Sequence, residues 1–173
     1  MTHRAPAAET WELLDRATRD HPAPVAAVRW SAVEHNLDTL VAAADGVPVR
    51  LASKSVRCRP VLERALAHPG VQGVLAFTLP EALWLARQGT TDDLLVAYPT
   101  VDAAGLDALV ADEGLARAIT LTVDDPDHLA AVRAARERTG GRAAVRVVLE
   151  ADVSLRRGPL SIGPQRSPLH APD

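Results

Sequence analysis

The chain has 173 residues, 47% of them hydrophobic, with a formal net charge of −3 and a pI near 6.1. That is enough chain for one domain with a real core. The mild acidity gives no basic surface for nucleic acid, and no apolar run is long enough to span a bilayer. The single cysteine, Cys58, excludes an internal disulfide framework and fits a reducing cytoplasm.

From the amino end, residues 1–8 lack the apolar core of a signal peptide. Glu9 to Asp20 predicts a short amphipathic helix with Trp11, Leu14 and Ala17 on one stripe, ended by His21-Pro22-Ala23-Pro24. A regular alternation follows. Strands are predicted near 25–30, 49–54, 71–77, 93–99, 117–124 and 143–152, with helices near 32–44, 59–68, 79–88, 101–112 and 126–138. Ser31-Ala32-Val33-Glu34 and Thr78-Leu79-Pro80-Glu81 read as capping boxes, and Thr100 and Asp125 as N-caps, the latter with Pro126 at the first helical position. Ser31, Ser55, Thr78, Thr100 and Asp125 recur every 22 to 25 residues, the period of a βα unit.

The strand patterns favour a barrel over an open sheet. Central strands of a doubly wound sheet are covered on both faces and read as continuous apolar runs. Here Thr120, Thr122 and Asp124 alternate with Ile119, Leu121 and Val123. Arg146, Glu150 and Asp152 share a side with Val148, opposite Val145, Val147 and Leu149. One apolar face for a ring of helices and one polar face for a barrel mouth explains both. A complete (β/α)8 barrel typically needs about 250 residues, so six predicted strands make an incomplete TIM-like barrel. The divisions expected are a helix and linker over 1–24, a partial barrel over 25–156 and a loop-like, truncated end over 157–173, where Gly158-Pro159 and Gly163-Pro164 break the pattern.

Lys54 is the only lysine; the other 18 of the 19 basic residues are arginine. Arginine stays protonated, whereas a desolvated lysine becomes a nucleophile. As a strand, 49–54 sets Arg50, Ala52 and Lys54 on one side, with the amine at the carboxyl end, where parallel α/β folds gather their sites. Lys54 is thus either an ion-pair partner of Asp152 or Asp124, or a Schiff-base former toward a carbonyl substrate or pyridoxal phosphate. Tyr98, the only tyrosine, either hydrogen-bonds a ligand or anchors a loop. Glu150 and Asp152 hold a cation or pair with Arg146 or Arg50. The six histidines show no metal-ligand spacing, and there is no G-x-G-x-x-G or Walker loop.

The segment "VRLASKSVRC" (49–58) resembles the pyridoxal-lysine segment of the alanine-racemase-like barrels, the fold type III pyridoxal-phosphate enzymes. It is most similar to the branch of D-threonine aldolase, D-serine dehydratase and related amino acid deaminase/aldolase proteins, which carry arginine four residues before the lysine, as Arg50 stands to Lys54. Glu34-His35-Asn36, "AFTLPEALWLARQG", "DDLLVAYPT", "DDPDHL" and "IGPQRSPLH" extend the match over nearly all of 25–170. The resemblance implies pyridoxal 5'-phosphate as cofactor and Lys54 as its Schiff-base lysine and a catalytic base. It implies cofactor contacts from Arg50 and Arg166, joined by Tyr98 and Asp152 from the residue reading, and no metal within these residues. An amino acid substrate is implied, D- and β-hydroxylated, with no nucleic acid or membrane partner and a homodimer in full-length members. Ala52 stands where histidine is common, which favours the deaminase-like subgroup; Arg29, Pro164 and Gln165 also depart from the pattern. Family members are about twice this length, so the expectation is the N-terminal part of a deaminase/aldolase, inactive in isolation. The alternatives are a non-catalytic pyridoxal-phosphate carrier and an inert fragment.

Overall fold

In a computed structural model, which describes residues 8–157 and 160–169, the βα period resolves into five parallel strands and the helices between them. Gly158 and Pro159 lie outside the described residues, as do residues 1–7 and 170–173, His170 of the closing motif among them. The chain forms two compact units, residues 1–39 and 40–173.

The first unit holds α1 (Ala8–Thr18) and most of α2 (Trp30–Ala43), with Arg29 Nη1 donating to Thr10 Oγ1 at 3.1 Å. Trp11, expected on an apolar stripe, is 59% exposed. The strand predicted at 25–30 does not form. Val25 and Val28 are three apart and so fall on opposite sides of an extended chain, and the alanines between them have little β preference. Helix α2 then begins at Trp30, which puts Ser31 inside the helix rather than at its cap.

In the second unit β1 (Val49–Ala52) is followed by a single helical turn, α3 (Ser53–Val56), and by α4 (Arg59–Leu66). Then come β2 (Val71–Ala76), α5 (Leu79–Arg87), β3 (Leu94–Val96), α6 (Ala103–Ala111), α7 (Glu113–Ala118), β4 (Ile119–Val123), α8 (Pro126–Thr139) and β5 (Arg146–Leu149). The helix predicted over 101–112 forms as α6, and a second helix that was not predicted, α7, follows because Asp112 leaves the helical conformation and caps it through Leu115 N–H. Thr100 accepts from Asp102 N–H in the turn before α6 instead of capping it. Asp125 caps α8 as its sequence predicts, and Gly140 ends that helix at φ 70°. The stretch expected to be loop contains a two-stranded antiparallel ribbon, β6 (Leu155–Arg157) with β7 (Leu160–Ile162).

The strands pair in the order β1-β2-β3-β4-β5, all parallel. A doubly wound sheet reverses its order at a switch point; this one never does. One row of the sheet, Val74, Leu94 and Ile119, is wholly buried against Leu79, Leu106 and Leu109 of the helices. The alternate row, Ala52, Leu75, Leu95 and Thr120, stays half-buried on the other face. Sequential order with helices on one face is the geometry of a (β/α) barrel, here five strands of it, one fewer than the periodicity predicts.

Candidate active site

Five strands running the same way bring their carboxyl ends together, and each end carries a polar or aromatic residue: Lys54, Phe77, Tyr98, Asp124 and Glu150. Lys54 reaches this rim differently from the strand alternation predicted. The strand stops at Ala52 and the helical turn starts at Ser53, so Lys54 is not in line with Arg50 and Ala52. The turn is closed by Arg57 in the left-handed conformation (φ 47°), with Arg57 N–H on Ser53 O at 2.8 Å and Arg57 Nε on Lys54 O at 3.0 Å. Below it, Ser53 is buried and its hydroxyl donates to Glu81 Oε2 at 2.9 Å.

Lys54 Nζ donates to the Tyr98 hydroxyl at 3.2 Å. It lies 5.3 Å from the centroid of the Tyr98 ring and 5.7 Å from that of Phe77, within cation–π range of both. The two rings meet edge to face, 5.8 Å apart at 84°. Arg166 brings a second cation to the Tyr98 ring at 6.0 Å. The hydrogen bond from Lys54 holds the Tyr98 phenol below its ordinary value of 10.0, helped by the charges of Lys54 and Arg166; desolvation and Glu150 oppose this. Lys54 itself is solvent-exposed, not desolvated as a nucleophilic lysine was expected to be.

Two predicted site residues have other partners. Arg50 sits near the amino ends of the strands, where both its terminal nitrogens engage the Asp93 carboxylate at 2.9 Å and Nη1 also reaches Asp93 O at 3.3 Å. A bulge in β2 makes room for it. The register advances two residues in β1 and three in β2, and Gly73 stands there at φ 66°, where a Cβ would collide with Arg50 Nη1 and Asp93 O. The expected pairing of Arg50 with Glu150 or Asp152 is therefore replaced by one with Asp93. Asp152, largely buried, shapes the turn after β5: its Oδ1 accepts from Ser154 N–H at 2.9 Å, and its N–H donates to Leu169 O at 2.6 Å. Sequence reasoning missed Phe77 and Glu81. Phe77 is the only phenylalanine, so the rarity that singles out Lys54 and Tyr98 points to it as well.

A cavity of about 620 Å³ lies away from this rim. It lies on the opposite side, between Arg87 and Asp92 before β3 and Asp112 and Leu115 of α7. Smaller cavities border the rim, one of about 230 Å³ beside Asp124 and Leu149 and one of about 270 Å³ beside Ser53 and Glu81. Among the described residues no group of three or more metal-ligating side chains occurs, and no helix is long and apolar enough to cross a membrane.

The profile of the alanine racemase N-terminal domain matches residues 28–162. Among solved structures, the crystal structure of D-threonine aldolase from Filomicrobium marinum is similar, with a TM-score of 0.64 at 26% identity over 84% of this chain. That similarity covers 38% of the aldolase, so the present chain spans well under half of it. No curated protein matches the chain. The matched span and the sequential parallel sheet agree, and the chain belongs to the alanine racemase N-terminal domain family.

Proposed function

We propose that this chain is the N-terminal, lysine-bearing part of a pyridoxal-phosphate-dependent amino acid deaminase/aldolase acting on D-β-hydroxy amino acids. The observation that carries the reading is the sole lysine at the carboxyl ends of the strands, 3.2 Å from Tyr98 OH and flanked by Phe77. Family members generally use pyridoxal 5'-phosphate, and the residues present fit it: a reachable primary amine, two aromatic walls for a flat ring and a cation at Arg166. When bound, the cofactor supplies an electron sink that stabilises negative charge at the substrate Cα. Lys54 is the covalent holder and, once released, the base at Cα. Tyr98 orients the amine and accepts one of its protons in a hydrogen bond. Arg50 and Asp152 act from a distance, one by bracing the strand under Lys54 and the other by shaping the loop that carries Arg166.

The D-β-hydroxy substrate class is carried over from the D-threonine aldolase that the chain resembles, and loss of water versus retro-aldol cleavage divides the deaminase from the aldolase outcome. Family enzymes often form dimers, which we extend to the longer polypeptide; the free Cys58 thiol suits the cytoplasm. The exposure of Lys54 favours a second reading, a protein that holds the cofactor without turning over an amino acid. The test is to mix the chain with pyridoxal phosphate, reduce with borohydride and map the adduct. Label on Lys54 at modest cofactor concentration supports a site, and label only at gross excess refutes it. Ammonia or aldehyde released from D-serine or D-threonine then separates enzyme from carrier.

A further inference from the structure

We infer that Glu81 is the positioning residue for Lys54, an assignment that rests on Lys54 being the reactive group of the proposed function. Glu81 is the third residue of α5, whose N-cap is Thr78. A glutamate at that place in a capping box ordinarily turns back to the N–H of its own N-cap residue. Glu81 does something else. Its Oε2 accepts from Phe77 N–H at 2.7 Å and from Ser53 Oγ at 2.9 Å, while Thr78 Oγ1 receives Glu81 N–H at a long 3.4 Å.

One carboxylate oxygen thus joins the residue before Lys54 to the residue whose ring flanks Lys54. Ser53 is 1% exposed, and its single hydroxyl proton has only one other acceptor, Leu75 O at 3.2 Å. The two strand ends that supply the amine and its aromatic wall share one acceptor, and the turn carrying Lys54 is closed on its far side by Arg57. A group whose first-contact residues are locked by such supporting bonds keeps its geometry; one without them drifts. A purely structural cap has a different signature, since it changes helix stability without moving the lysine.

The sole lysine makes the test clean. Reductive methylation with ¹³C-formaldehyde gives the intact chain one dimethyl-lysine resonance, displaced by the Phe77 and Tyr98 rings from its position in the unfolded chain. E81A is expected to move that resonance toward the unfolded position while the amide spectrum stays dispersed, and to lower pyridoxal-phosphate labelling of Lys54 by about tenfold, the scale of a lost charge-assisted bond. E81Q keeps a carbonyl acceptor and is expected to retain the wild-type resonance; T78A, which loosens the cap alone, is expected to do the same. If E81A does not fold, S53A removes only the lysine-side bond and is expected to shift the resonance. A folded E81A or S53A with the resonance unmoved overturns the assignment, as does a T78A shift equal to that of E81A. A wild-type chain that shows the ring-shifted lysine, responds to E81A and takes no pyridoxal phosphate leaves Glu81 in its role and removes the cofactor reading instead.

Discussion

Substituting Gly73 by alanine tests whether the amino ends of the strands are held by the Arg50–Asp93 pair. Gly73 has φ 66°, and an added Cβ meets the Arg50 guanidinium and the Asp93 carbonyl oxygen. Left-handed backbone costs a non-glycine residue about 1–2 kcal/mol. The Arg50 and Asp93 side chains are 29% and 31% exposed and bonded through two oxygens. That sets the loss on breaking them between the ~1 kcal/mol of a surface pair and the 3–5 kcal/mol of a buried one, so about 2 kcal/mol. Gly73→Ala therefore costs about 3–4 kcal/mol and Asp93→Ala alone about 2 kcal/mol. If the new methyl group displaces Arg50, the pair is already lost in the first variant and the second adds little. The double variant then costs about 3–4 rather than 5–6 kcal/mol, a coupling near 2 kcal/mol. Urea unfolding of the four proteins measures this directly. Additivity within about 0.5 kcal/mol would mean that the alanine leaves Arg50 in place, and the account of the bulge would be wrong.

Leu94 is wholly buried in the middle of the sheet, so Leu94→Ala is expected to cost about 3 kcal/mol in the same unfolding measurement, with an unchanged dependence on denaturant. Tyr98 is the only tyrosine, so near-UV absorbance follows its ionisation alone; the midpoint is expected below 10.0 and should rise in Lys54→Met, whose hydrogen bond and charge are gone. Because the folded value is the lower one, phenolate formation favours the folded state. That contribution is absent at neutral pH, grows as pH rises through the folded midpoint and is complete only above 10.0, where the unfolded tyrosine has also ionised. Pyridoxal phosphate is expected to label Lys54 in preference to a small uncharged aldehyde, with the preference falling in Arg166→Ala; equal preference in both proteins would refute a role for Arg166.

The sequence revealed the fold through period and not through individual strands. Cap residues recurring every 22 to 25 residues found four helix entrances to within a few residues, since capping chemistry is local. The same alternation of elements predicts a strand at 25–30, and none forms because Val-Ala-Ala-Val has no apolar-polar alternation to pair. Alternation sets Arg50 and Lys54 on one line only while the backbone stays extended, and nothing in "LASKSV" announces that the chain turns helical at Ser53. Rarity was the better guide at the rim: the sole lysine and sole tyrosine meet. Glu81 was legible as a cap but not as a bridge, because its second partner lies 28 residues earlier in the chain.

The two ends of the sheet divide their work. At the amino ends Arg50 is consumed by Asp93, and a glycine is spent to seat it. At the carboxyl ends the backbone is secured by Ser53, Glu81 and Arg57, while the Lys54 amine, among the described residues, is held by a phenol and two ring faces. An exposed lysine is not made special by desolvation; any aldehyde in solution can reach it. Selectivity at such an amine has to come from groups that recognise the rest of the reagent, and the groups within reach are the Phe77 and Tyr98 rings, set edge to face, and the Arg166 cation. Those are complementary to an aromatic aldehyde bearing an anionic substituent. On this argument the chemistry depends less on how reactive Lys54 is than on how firmly its turn is fixed relative to Phe77, to which a single oxygen of Glu81 joins it.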